Sequence, residues 1–253
     1  MIQSTKTKQL LLAMCSLLPV VSALSQNSVQ HSFSAGSAIN NIRDQFLAIH
    51  LNNLRAIEIN YTLESGNNRV KKILSINGAQ GNANSEEATV YFYAANLRYA
   101  TAYALQKNKT AAFKNYLGYA FEANTGMLKA GNRYSWASST MLSLYHSSIY
   151  NWQKNSVSFT LTIPVVGFVS RPGEGASDKF TVNRMIYDSY SNLSFSSFQN
   201  QQAISARLQY NRSINTHWAM FGTMRVDYKR INETSLYISK GYGLCAGITY
   251  TGW

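Results

Sequence analysis

His146 and Ser148 stand two residues apart, so an extended strand would put an imidazole and a hydroxyl on one face, with Asn151 and Asn155 following. A serine becomes a nucleophile only when a base takes its proton and a third group orients that base. The pattern is therefore a candidate for hydrolysis at His146 and Ser148. A second set is electrostatic. Glu58, Arg98, Lys114, Glu122, Arg207, Arg225 and Asp227 each fall in the polar phase of an alternating segment. Charges of both signs on one face would pair across an enclosed interior, as a structural polar core or as the lining of a solute path. Metal chemistry finds no support in the pattern: His31, His50, His146 and His217 lack ligand spacing, and no acidic run resembles a calcium loop. The stretch GYGLCAG lacks the helix that must follow a phosphate-cradling loop. Neither a metal nor a cofactor is expected, and Cys245 reads as a small apolar residue.

The elements that must position these residues alternate with a period of two. The clearest is a hairpin over residues 203–228. Its first arm sets Ile204, Ala206, Leu208 and Tyr210 against Ser205, Arg207, Gln209 and Asn211. After the turn RSINT, the second arm sets Trp218, Met220, Met224, Val226 and Tyr228 against Thr223, Arg225, Asp227 and Lys229. Each arm matches the ~9–11 residues of a tilted strand that crosses a bilayer, with aromatics near its ends. Other segments repeat the pattern: Ile57, Ile59, Tyr61 and Leu63 oppose Glu58, Asn60, Thr62 and Glu64, and Leu97, Tyr99, Tyr103 and Leu105 oppose Arg98 and a run of alanines. Phe113, Leu117, Tyr119 and Phe121 oppose Lys114, Gly118 and Glu122, and Val157 to Ile163 alternate with serine and threonine until Pro164, which marks a bulge or the strand's exit from pairing.

Residues 26–52 are the least patterned: spacing from Ser37 to Ile49 suits a short helix, QFLAIHL suits a strand, and strand is preferred. Short turns at 65–68, 107–110, 153–155 and 213–216 alternate with longer polar connections at 78–87, 125–133 and 171–200. The count is ten strands, or twelve if FTVNRMIY and NLSFSSF form a further hairpin.

Residues 1–25 carry Lys6 and Lys8, an apolar run from Leu10 to Val21 and a small-residue site at Ala23-Leu24-Ser25, the layout of a secretory signal peptide. Its removal leaves Cys245 alone, so no intramolecular disulfide forms, and a bacterial envelope is favoured over an extracellular disulfide scaffold. The formal net charge is +12. The basic residues are scattered singly rather than in a run, which argues against nucleic acid and for contact with anionic lipid or lipopolysaccharide. No stretch after residue 25 is apolar enough for a spanning helix, so insertion would require a closed barrel.

Signal peptide, alternating aromatic-rich strands and a terminal Trp253 together resemble the bacterial outer-membrane β-barrel proteins. That resemblance implies an all-β transmembrane antiparallel barrel over 53–253, with 26–52 as a possible first strand. It also implies long extracellular loops, and Trp253 as the residue offered to the barrel assembly machinery. Trp253 falls out of phase with Tyr242, Leu244, Ala246, Ile248 and Tyr250, which implies a bulge at Gly252 or a departure from the assembly signal. A soluble secreted β-sandwich would alternate similarly. Two functions stay open: a non-enzymatic barrel with a polar, largely filled lumen, in a binding, envelope-structural or narrow transport role, and a lipid hydrolase. The His-x-Ser pair resembles that of outer-membrane phospholipase A, whose Ser-His-Asn set would place its asparagine at Thr160. The ligand of the loops is not legible.

Overall fold

The structure, a computed structural model, describes residues 29–47, 49–67, 69–84, 89–105, 112–131, 133–172, 192–197, 200–232 and 235–252. The signal-peptide segment 1–25, the turn at 107–110, FTVNRMIY and Trp253 lie outside the described residues. The strands are β1 (Val29–Asp44), β2 (Ile49–Gly66), β3 (Val70–Asn84), β4 (Thr89–Ala104), β5 (Phe113–Ala130), β6 (Arg133–Trp152), β7 (Asn155–Ser170), β8 (Leu193–Ser197), β9 (Gln201–Ser213), β10 (Trp218–Asn232) and β11 (Leu236–Gly252).

Neighbours pair antiparallel from β1 round to β7, then β7 to β9, β9 to β10 and β10 to β11, and β11 closes on β1. The ring has ten members. Among the described residues β8 pairs only with Val166 to Ser170 of β7, so the NLSFSSF strand stands beside the ten-membered ring rather than in it. The β1–β11 register is unbroken through Gly252, so no bulge forms there. The segment left ambiguous at 26–52 divides between β1 and the start of β2, so the boundary at 52/53 falls inside a strand. A register shift does occur in that pair, where Asn53 takes φ 58° and donates its N–H to Asn41 Oδ1 at 2.8 Å. Asparagine tolerates that left-handed backbone better than most residues. Pro164 marks a bulge as well: Leu142 faces Val166 and Ser143 faces Pro164, leaving Val165 extra, after which β7 continues.

The start of β1, the end of β11 and the ends of β2, β4, β6 and β9 lie at one end of the barrel, here the terminal end. The end of β7 and the start of β9, which flank the 171–200 connection, lie at the other, the loop end. Two connections expected to be long are largely strand. Residues 78–82 pair with β2 on one side and β4 on the other, and residues 125–130 pair with β4 and β6. Their small, polar residues look like turns in isolation. In the wall their backbone is hydrogen-bonded on both sides, while Ala79, Ala83, Leu128 and Ala130 pack inward on an apolar cluster. A Cβ at Gly81 would lie 2.2 Å from the Arg55 carbonyl oxygen, so that close approach of β2 and β3 needs glycine.

The outer wall is apolar between two aromatic belts. At the terminal end, Trp218 lies 5.0 Å from Tyr250, and Tyr150, Trp152 and Tyr210 form a chain at 5.5 and 6.2 Å. Towards the loop end stand Tyr91, Tyr93, Tyr242, Phe168 and Phe195. Between them Ile57, which is 70% exposed, Ile59, Ile76, Leu97, Leu117, Leu144, Leu208, Met220, Met224 and Leu244 cover the surface. Strands of 13 to 20 residues exceed the ~9–11 a bilayer needs. The excess carries polar outward residues at the loop end, including Arg43, Arg55, Arg230 and Lys240.

This orientation predicts that fluorescent labels at positions 208, 220 and 224 are quenched by lipid-phase reagents and labels at 207, 209 and 223 are not. Met220→Arg should destabilise by roughly 2–4 kcal/mol in urea titrations in lipid vesicles, the cost of a charge held near the bilayer midplane. Aqueous quenching at 220 would reverse the facing.

Candidate functional site

Alternation sends the polar phase of every strand into the lumen, which divides into three levels. At the loop end, Ile42, Leu51, Leu54, Val90, Phe92, Leu128, Val169, Ile231 and Tyr237 form a buried apolar cluster. Through it runs one ion pair. The Arg171 guanidinium, 1% exposed, donates from Nη2 to Asp44 Oδ1 at 3.0 Å and from Nη1 to Asp44 Oδ2 at 3.3 Å. Arg171 also donates to the Trp136 carbonyl at 2.7 Å and to the Ser135 and Ser235 hydroxyls, and it lies 5.0 Å over the Tyr237 ring. Asp44 accepts further bonds from Ser135 Oγ and the Phe46 N–H. A charge taken this far from water is tolerable only when its partner and hydrogen bonds replace the solvent, and here both ions are so served. Side chains from β1, from the end of β7, from β6 and from the approach to β11 are thereby locked together.

At mid-height lie most of the charges anticipated from the sequence. Arg98 Nε donates to Glu122 Oε1 at 2.6 Å, and Ser143 donates to Glu122 Oε2 at 2.9 Å. Arg225 Nη2 donates to Glu58 Oε1 at 2.5 Å and also pairs with Asp227. Glu58, only 2% exposed, receives a long contact from the Cys245 thiol as well. Arg207 is different. Directly opposite Arg225 in the β9–β10 register, it makes no hydrogen bond or ion pair with any described residue, and its Nε is buried without a partner. Lys114 lies apart, lining the terminal-end cavity.

The set read from the sequence lacks several lumen groups. Lys229 Nζ donates to Ser139 at 3.0 Å, and Lys71 pairs with Glu64 at 2.7 Å. Asn60, Asn77, Asn96 and Asn124 stand in one cross-strand row through β2, β3, β4 and β5, with amide hydrogen bonds from Asn77 to Asn60 and from Asn96 to Asn124. Each was visible as a polar residue in an inward phase; only the register makes them a row. Arg171 and Asp44 gave no local signal, one lying at the start of an unpatterned stretch and the other in the ambiguous N-terminal segment.

Below the charges, a cavity of about 450 Å³ runs to the terminal-end rim, lined by Ser32, Thr62, Ser75, Ser156 and Ser158 and reaching Asn215 to Trp218 at the mouth. A smaller one of about 210 Å³ lies between the asparagine row and Lys229. Arg98, Arg207 and Arg225 border both.

His146 and Ser148 are on the opposite face of the wall, turned outward among Leu117, Leu144, Tyr150 and Phe159. Ser148 Oγ donates to Asn115 Oδ1 at 2.7 Å, whereas His146 Nε2 is 3.4 Å away. The hydroxyl proton is thus directed at an amide oxygen, which cannot act as a base, and no described contact orients the imidazole. Thr160 opposes Ser147 and faces the lumen, so it cannot join the pair. Among the described residues no cluster of three His, Cys, Asp or Glu could hold a metal.

No protein-family model and no curated protein sequence matches this chain. Solved structures do. The outer membrane protease OmpT of Escherichia coli superimposes with a TM-score of 0.54 at 8% identity, over 90% of this chain and 97% of that one. Neisserial surface protein A (TM-score 0.39, 10% identity, 87% and 96% covered) and the attachment invasion locus protein Ail of Yersinia pestis (0.37, 12%, 87% and 98%) are more distant. The closed barrel, its lipid-facing wall and the fold shared with OmpT make the chain an integral β-barrel of the bacterial outer membrane.

Removing one member of the loop-end pair leaves the other charge buried and unpaired. Asp44→Asn or Arg171→Met should each destabilise by about 3–5 kcal/mol, and the double variant by less than the sum. Urea unfolding in lipid vesicles would show it; additive losses would mean that the pair is not coupled.

Proposed function

We propose that this protein is a non-enzymatic, non-conducting barrel that binds a solute from the periplasmic side. The observation that carries the reading is the asymmetry of the lumen: apolar packing around Arg171 and Asp44 fills the loop end, while the polar cavity reaches the terminal-end rim. The end where β1 starts and β11 finishes is taken as periplasmic because the strand ends that flank the long 171–200 connection are at the other, as in barrels whose periplasmic turns are short. Ten strands leave room for side chains and one small ligand rather than a wide pore. The lipase alternative is weakened by Ser148, whose proton goes to Asn115 rather than to His146. Long extracellular loops, expected at three places, reduce to the single 171–200 connection.

Outside, Arg43 and Arg230 flank Ile238 in one outward row, with Lys240 and Arg55 nearby on β11 and β2. This basic collar above the apolar band suits the phosphates of lipopolysaccharide. Trp253 remains the residue proposed to engage the assembly machinery.

In planar bilayers the pure protein should give no discrete conductance steps, and in detergent it should release neither fatty acid from phospholipid nor fragments from peptide substrates. Steady single-channel steps would replace this reading with a transport one. Fatty-acid release lost on Ser148→Ala would replace it with the hydrolase.

A further inference from the structure

We infer that Arg207 anchors a binding site for a small free oxyanion, of the phosphate or sulfate class, at the inner end of the periplasmic cavity. The inference rests on the closed-lumen reading and names the ligand class of that cavity.

The case begins with a local conflict. Like charges directly opposite one another in a sheet repel, and Arg207 stands directly opposite Arg225. Arg225 is neutralised by Glu58 and Asp227, and Arg98 by Glu122. With Arg207 the level is neutral, three arginines against three carboxylates, yet each carboxylate is in contact with Arg98 or Arg225 and none is within ion-pair distance of Arg207. Its Nε is buried without a hydrogen-bond partner although the guanidinium carries five donors. Lys229, four residues beyond Arg225 along β10 toward the loop end, donates to a serine hydroxyl. Arg207 is half-buried at the cavity's edge with no direct partner among the described residues, and breaks of such local rules tend to mark functional positions.

What would satisfy Arg207 is an acceptor with several oxygens and negative charge. Guanidinium groups bind phosphate and sulfate through paired, charge-assisted hydrogen bonds. The space is present, since Arg207 borders cavities of about 450 and 210 Å³, each far larger than the ~30 Å³ share of one water. The path is present too, because the larger cavity reaches the rim at Asn215 to Trp218 past hydroxyl and amide side chains, Lys114, and Glu64 paired with Lys71. The asparagine row bordering the smaller cavity supplies neutral partners. A lipid headgroup is the less fitting source, because the described wall separates this level from the bilayer and an acyl chain would have to enter the polar mouth.

Isothermal titration of the folded, detergent-solubilised protein with sodium phosphate and sodium sulfate, against sodium chloride at matched ionic strength, tests the site. Saturable binding of phosphate or sulfate near one equivalent, with chloride inert, is the expected result. Arg207→Gln should weaken it about tenfold or more, as loss of a paired charge-assisted contact would, whereas Arg212→Gln, an exposed arginine on the outer face of β9, should not. The Arg207→Gln protein should also unfold at higher urea than wild type when no anion is present, because the repulsion with Arg225 is gone. No saturable binding by wild type would overturn the site, whatever the variant does. So would equal affinity in Arg207→Gln, or binding of a short-chain phosphatidic acid without binding of inorganic phosphate. A barrel that is silent in planar bilayers yet binds no anion would fail here alone, leaving the closed lumen intact.

Discussion

Lipid offers no hydrogen bonds, so every backbone N–H and C=O in the spanning part of this chain must find a partner within the wall. The pairing of β1 with β11, sixteen residues on each side in unbroken register, joins the first strand of the ring to the last and removes both edges. Much else follows from that closure. Once the ring has ten members its interior is narrow, alternate side chains are forced into it, and whatever they carry must be reconciled there. The outer phase is free to be apolar and the inner phase is not.

Reconciliation takes a different form at each level. At the loop end the chain fills the lumen with aliphatic and aromatic side chains and admits one bidentate ion pair, Arg171 with Asp44. Its net contribution to stability need not be large, since desolvating two ions costs about as much as their attraction returns, but it specifies which elements meet. At mid-height Glu58, Glu122 and Asp227 are held by Arg225 and Arg98, and Arg207, which completes the charge balance, has no direct partner among the described residues. At the terminal end hydroxyls and amides line open space. The barrel thus grades from packed to charged to open.

The facing of most strands was legible in the sequence because a period of two survives any register: Ile57 against Glu58, Phe121 against Glu122 and Met224 against Arg225 all point as the alternation requires. Extent was less legible. Gly78 to Asn82 has the composition of a loop, and only pairing on both sides holds it extended. Partnerships across the lumen were not legible at all. Glu58 meets Arg225 across 167 residues of sequence, and Asp44 meets Arg171 across 127, contacts fixed by ring geometry that no local spacing encodes. The His146 and Ser148 pair shows the converse, where spacing correctly put two groups on one face but could not say that the face looks into lipid or that Asn115 would claim the hydroxyl.

The central claim is the closed ring, and cross-linking its seam tests that most directly. Ala35 and Ala246 are direct partners on β1 and β11. With Cys245 replaced by serine and cysteines placed at 35 and 246, mild oxidation of the protein in its native membrane should join the two ends of the chain. The displaced pair of 35 with 248 should stay unjoined. No cross-link at 35 and 246, or preferential joining of the displaced pair, would contradict the closure.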